Sequence, residues 1–181
     1  YPFRGKGTGM MPSIEEVFKA FPDKEILIHL KTDDIKTGEV LWEYLKEMDK
    51  DRQSQITVYG DNPPIQYLRE QSESLRVMSG KMMKRALISY ELVGWTGYIP
   101  KELKNTEIHL PVNYAKLLWG WSNKFIQRMD KVNTRVVLVN GNGGFSEGFD
   151  DKESLENLPK NFSGYIWTNR IDKISEVYKS K

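Results

Sequence analysis

The chemistry open to this chain rests on two histidines, a lysine beside one of them, and a few carboxylates. In Glu25-Ile26-Leu27-Ile28-His29-Leu30-Lys31 the side chains of Leu27, His29 and Lys31 share one face of a strand, and those of Ile26, Ile28 and Leu30 share the other. One face is aliphatic; the opposite face turns polar toward its C-terminal end, where α/β proteins bind ligands. An inward-facing His29 there can ligate a metal or transfer a proton, and Lys31 offers phosphate a positive charge. The alternative is a hydrogen-bonded core histidine with a lysine reaching solvent. Asp33 and Asp34 follow directly and either hold a cation or cap the next helix.

Other polar strand tips are spread along the chain. His109 alternates with Leu110 and shares a face with Glu107, as a second reactive tip or as a structural histidine. Tyr59 ends an apolar run on the face of Thr57, and Asn140 ends the Val/Leu run from Arg135, where an amide can orient a ligand. Asn169 and Arg170 follow the final apolar run in the same way. The glycine-rich Asn140–Gly148 segment, with Gly141, Gly143 and Gly144, can cradle an anion through backbone N–H groups, but it lacks the Lys-Ser/Thr ending of a phosphate-binding loop. Arg4 and Lys6 lie in a glycine-rich N-terminal stretch, as phosphate contacts or as a solvated loop. Trp95, Trp119, Trp121 and Trp167 fall near strand ends, where they can wall an apolar pocket or fill the core. No nucleophile-elbow spacing and no HExxH motif is present.

Alternating elements must position these groups. Ser13 with Glu16 forms a capping box that opens a helix to about Ala20. Periodicity then predicts strands at Glu25–Lys31, Ile56–Tyr59, Leu75–Ser79, Glu107–Leu110, Arg135–Asn140 and Tyr165–Thr168. It predicts helices at Thr37–Met48, Pro63–Arg69, Lys81–Val93, Ser122–Lys131, Lys152–Leu158 and Ile171–Tyr178. Six strands alternating with helices predict a parallel α/β sheet with helical crossovers. This is either an open doubly wound sheet or a (β/α)₈ barrel seen without its first two units, since such a barrel needs about 250 residues.

Composition narrows the functional classes. With 181 residues, 39% hydrophobic and 29% charged, the chain can bury a core as one domain or as part of a larger one. A net charge of +2 leaves no nucleic-acid footprint. Zero cysteines exclude a disulfide framework, a thiolate metal site and a thiol nucleophile. The chain fits either redox compartment, and a secreted or periplasmic location is the reading favoured. No apolar run approaches the roughly 18 residues of a membrane span. The start at Tyr1 without Met points to processing, truncation or a preceding N-terminal segment.

The order of motifs adds a resemblance. Met11-Pro12-Ser13-Ile14-Glu15-Glu16-Val17-Phe18, then Phe21-Pro22, then Ile28-His29-Leu30-Lys31 resembles the Ile-Pro-Thr-Leu-Glu-Glu-Val-Leu … Pro … Ile-Glu-Ile-Lys passage of glycerophosphodiester phosphodiesterases. Gly164-Tyr165-Ile166-Trp167-Thr168-Asn169-Arg170-Ile171-Asp172 is similar to that family's final-strand Gly-Ile-Ile-Thr-Asp-Arg-Pro-Asp. Val136–Asn140 stands where the family has its penultimate strand, Trp-Thr-Val-Asn. The resemblance runs from about Met11 to the C-terminus.

It implies a TIM (β/α)₈ barrel of which this single domain supplies the last six or so units. It also implies a hydrolase of lipid metabolism that cleaves glycerophosphodiesters to an alcohol and glycerol 3-phosphate with a divalent cation, Mg²⁺ or Ca²⁺. The family's catalytic histidines and Glu-containing metal motif are not in this sequence and would lie in a segment preceding it, so residues 1–181 alone are expected to be inactive. Carried over by position, Lys31 would stabilise the phosphate and His29 would contact metal. Tyr59, Trp119 and Asn140 would bind substrate. Two departures stand out: His29 replaces the family's metal-ligating Glu, which shifts preference toward softer metals, and Val137 replaces its Trp. The alternatives are a degenerate barrel that binds a phosphorylated ligand or a glycan, and an unrelated open α/β domain.

Overall fold

The computed structural model describes residues 11–143 and 147–179; Arg4, Lys6 and Gly144 lie outside the described residues. Helix α1 (Ile14–Ala20) begins at the expected capping box: the Ser13 hydroxyl accepts the Glu16 N–H at 3.3 Å, and the Glu16 carboxylate accepts the Ser13 N–H at 2.7 Å. Strand β1 (Ile26–Leu30) leads into α2 (Ile35–Leu45), whose first turn is capped by the Asp34 carboxylate accepting the Lys36 N–H at 3.0 Å. Asp34 is thereby a helix cap.

The chain continues through α3 (Lys50–Ser54), β2 (Ile56–Gly60), α4 (Asn62–Gln71) and β3 (Arg76–Ser79). Pro63 and Pro64 occupy the first turn of α4, where the missing N–H groups have no helical partner to lose. Next come α5 (Gly80–Val93), β4 (Glu107–Pro111), α6 (Val112–Ala115), α7 (Asn123–Asp130), β5 (Arg135–Val139), β6 (Tyr165–Ile166) and α8 (Ile171–Lys179). The predicted helix near Lys152–Leu158 is a single 3₁₀ turn, Ser154–Asn157. Neither α3 nor α6 was predicted, because five and four residues hold too few turns to carry a repeat.

The strands form two parallel three-stranded sheets, β1-β2-β3 and β4-β5-β6. The register pairs His29 with Tyr59 and Tyr59 with Met78 in the first, and His109 with Val137 and Val137 with Tyr165 in the second. One continuous ladder was expected; β3 and β4 instead meet at a seam held by side chains. The Thr106 hydroxyl donates to the Val77 carbonyl of β3 at 2.6 Å; on the other side the Thr134 hydroxyl donates to the Leu103 carbonyl at 2.6 Å and accepts the Thr106 N–H at 3.3 Å, tying the approach to β5 to that of β4.

Burial explains why these elements hold together. Ile56, Val58, Ile108 and Leu138 are wholly buried, as are Ile65 and Leu68 of α4, Tyr90 of α5 and Phe125 of α7. Each such side chain is worth about 1.5–3 kcal/mol when taken out of water. Helices α2 and α4 approach so closely that a Cβ on Gly38 would sit 2.7 Å from the Pro64 carbonyl oxygen. With one strand face committed to this core, the alternate residues are left to build a polar face.

Candidate functional site

Those alternate residues bring four rings from distant parts of the chain into one row. His29 stacks on Tyr59 with centroids 4.2 Å apart and planes 15° apart, as their paired positions on β1 and β2 dictate. Tyr59 meets His109 at 5.3 Å, and His109 meets Trp167 at 5.7 Å. The row therefore crosses from the first sheet to the second. His109, Thr57, Glu107, Arg135 and Trp167 line a cavity of about 210 Å³. A second, of about 220 Å³, opens between Tyr59, Met78 and His109.

Beneath the rings lies a charged floor. Glu107 is buried, and its carboxylate accepts the His109 Nε2–H at 2.9 Å. Because a carboxylate accepts only, this contact gives His109 an Nε2–H and leaves Nδ1 for another partner. The other Glu107 oxygen lies 3.5 Å from the Thr57 hydroxyl and 3.9 Å from an Arg135 guanidinium nitrogen. Arg135 also pairs with Glu25 and lies over the Tyr165 ring, 5.6 Å from its centroid. Arg76 donates to the Ser54 carbonyl and to the Asn133 side chain, the latter at 2.9 Å. Burial lowers the Arg76 pKa, and the neighbouring Arg135 lowers it further.

At the strand ends the electrostatics turn on His29. Partial burial lowers its pKa below 6.5, the cation of Lys31 and the ring of His109 add to the effect, and Asp61 opposes it. The ring is consequently neutral at pH 7 and able to accept a proton or a hydrogen bond. Burial, helped by Glu107, raises the Tyr59 pKa above 10.0, keeping its hydroxyl protonated. Lys31 extends from the end of β1 into solvent.

The predicted site residues thus divide. His29, Lys31 and Tyr59 come together, and His109 joins them as part of the site. Trp119 lies elsewhere: its indole N–H donates to the Glu91 carbonyl of α5 at 2.8 Å, outside the ring row. The Asn140 side chain accepts from Asn157 at 3.4 Å, and its backbone N–H donates to the Glu147 carbonyl at 3.2 Å, so it organises its own loop. In that loop the Asn142 N–H already donates to the Glu147 carboxylate at 3.0 Å, so an internal acid takes the place of the anticipated external anion.

Asn169 and Arg170 belong to the support behind Trp167. The Asp150 carboxylate accepts the Thr168 hydroxyl at 3.0 Å, the Asn169 N–H at 2.7 Å and the Asn169 side-chain amide at 3.0 Å. The Asn169 amide chiefly, with the backbone and Thr168 contacts, holds the Asp150 pKa below its ordinary value. The Phe149 N–H donates to the Trp167 carbonyl at 2.8 Å, completing the mount for that ring. Sequence reasoning missed Asp150 and the Arg76–Arg135–Glu25 floor. The available signal was a charge inside otherwise buried strands, at Arg76 and Arg135.

Among the described residues no three His, Asp or Glu side chains gather to hold a metal ion. The ligand-type groups in electrostatic reach of His29 are Asp61 and His109. No protein-family model matches this chain, and no curated protein matches it.

Proposed function

We propose that this protein is a phosphoric diester hydrolase of the glycerophosphodiester phosphodiesterase type, with its two parallel sheets contributing six strands of a (β/α)₈ barrel. The observation that carries this reading is the grouping of Lys31, His29, Tyr59 and His109 on parallel strands from both sheets, with Lys31 and Tyr59 toward the C-terminal ends of theirs. Lys31 supplies a fixed charge for the non-bridging phosphoryl oxygens, where negative charge builds during displacement. Neutral His29 and the oriented imidazole of His109 accept or donate protons beside it. Tyr59 and Trp167 form the walls against which the organic part of the ester lies. The divalent cation of such hydrolases would draw on ligands beyond the residues described.

A second reading, a barrel that binds a phosphorylated ligand without cleaving it, is favoured by one observation: an imidazole stands at position 29 where the resembling enzymes carry a carboxylate. The test is release of glycerol 3-phosphate from glycerophosphodiesters, together with calorimetric binding of glycerol 3-phosphate. Hydrolysis that falls about 100-fold or more in Lys31→Ala supports the enzyme. Lys31-dependent binding without turnover supports the binding protein. Turnover and binding that ignore Lys31 remove both.

A further inference from the structure

The tryptophans outside the ring row form a surface of their own. On α5, Ile88 and Leu92 stand one turn apart, and Trp95 follows in the next 3₁₀ turn; all three are more than half exposed, at 53%, 71% and 67%. The loop after α6 is pinned beside them by two hydrogen bonds: the Trp119 indole N–H donates to the Glu91 carbonyl at 2.8 Å, and the Tyr90 hydroxyl donates to the Trp119 carbonyl at 3.0 Å. Trp119 and Leu117 of this loop are exposed as well. The core has taken what it needs from both segments, since Tyr90 is wholly buried and Trp121 packs inward on Phe125 and Phe162. The outward side chains are left over from folding, and contiguous exposed apolar groups of this kind mark an interaction surface.

Charge identifies the occupant. Lys84 and Arg85 stand one turn before Ile88 on α5, and Lys116 and Lys124 flank the loop; all four are exposed. Two copies of this face would oppose their cations to each other, whereas an anionic sheet would satisfy them. Tryptophan and leucine with a basic rim is the composition that seats a protein in the headgroup layer, with the aliphatic stems of the lysines covering apolar surface. Glu91 lies between the two segments, and burial raises its pKa, which favours losing its charge near an acidic surface. We propose that the surface built by Ile88, Leu92, Trp95, Leu117 and Trp119 docks on an anionic phospholipid bilayer. This inference is independent of whether the Lys31 site hydrolyses or only binds.

The experiment is co-sedimentation of the purified protein with phosphatidylcholine vesicles, with and without phosphatidylserine, paired with quenching of tryptophan fluorescence by brominated acyl chains. The expected result is phosphatidylserine-dependent, salt-sensitive binding with quenching. It should weaken about fivefold for each of Lys84→Ser and Arg85→Ser and about tenfold or more in Trp95→Ala. Far-UV circular dichroism checks that these variants fold, and because the altered side chains are exposed the spectrum should be unchanged. Equal binding to both vesicle types, no binding, or binding indifferent to the variants overturns the proposal. So does self-association abolished by Leu92→Asp without vesicle binding.

Discussion

At the scale of single residues, His29 sits between opposing influences. Burial against Tyr59 and the positive charge of Lys31 disfavour its protonated form, while Asp61 favours it, and the depressing effects win. The sign of the linkage follows. With the folded pKa below the unfolded value of about 6.5, the unfolded chain binds the proton first. His29 therefore contributes stability in full above pH 6.5, and the contribution is lost as the pH falls through the folded pKa. Removing the cation with Lys31→Met should raise the His29 pKa, as read from the imidazole C–H resonances in an NMR titration. An unshifted titration would separate Lys31 from the His29 site. His109 differs in kind, because Glu107 receives its Nε2–H directly and fixes which nitrogen is left for a ligand.

At the scale of elements, the strands were legible because apolar patterning over a few residues is a local property, and all six lie where the pattern placed them. Their grouping into two sheets was not legible. At the boundary between them the Thr106 hydroxyl donates to the Val77 carbonyl of β3. Thr106→Val keeps the shape and removes the donor, leaving the Val77 carbonyl without that bond inside the protein. Such a loss costs about 1–3 kcal/mol. The urea midpoint should fall accordingly, with the slope of the transition unchanged. An unchanged midpoint would mean that the seam does not depend on this bond. Helices α3 and α6 escaped detection for a different reason, their length, and α6 begins directly from the end of β4 without a side-chain cap.

At the scale of the whole molecule, the site joins two sheets, so a ligand in it should stabilise both. Under the proposed function, glycerol 3-phosphate at a hundred times its dissociation constant should add about 2.7 kcal/mol to folding. For a protein of this size that raises the melting temperature by roughly 5–10 °C. The shift should vanish in Lys31→Ala, and differential scanning calorimetry reads it directly; a full shift in that variant would place the ligand elsewhere. The bilayer-docking surface belongs to this scale too, since it exists only where the end of α5 meets the loop carrying Trp119.

The sequence by itself determined the order of the six strands and the longer helices between them, the capping of α1, the aliphatic face of β1 and the place of Lys31 at that strand's end. Each of these depends on residues a few positions apart. Tertiary structure alone decided which polar groups meet. Glu25 and Arg135 pair across 110 positions, and Tyr59 touches His109 although they belong to different sheets. Tertiary structure also divided Trp119-Gly120-Trp121, leaving one indole exposed and packing the other against the core. The physical reason is that polarity patterns specify which face of an element is buried. The partner on that face is chosen by the packing of elements far apart in the chain.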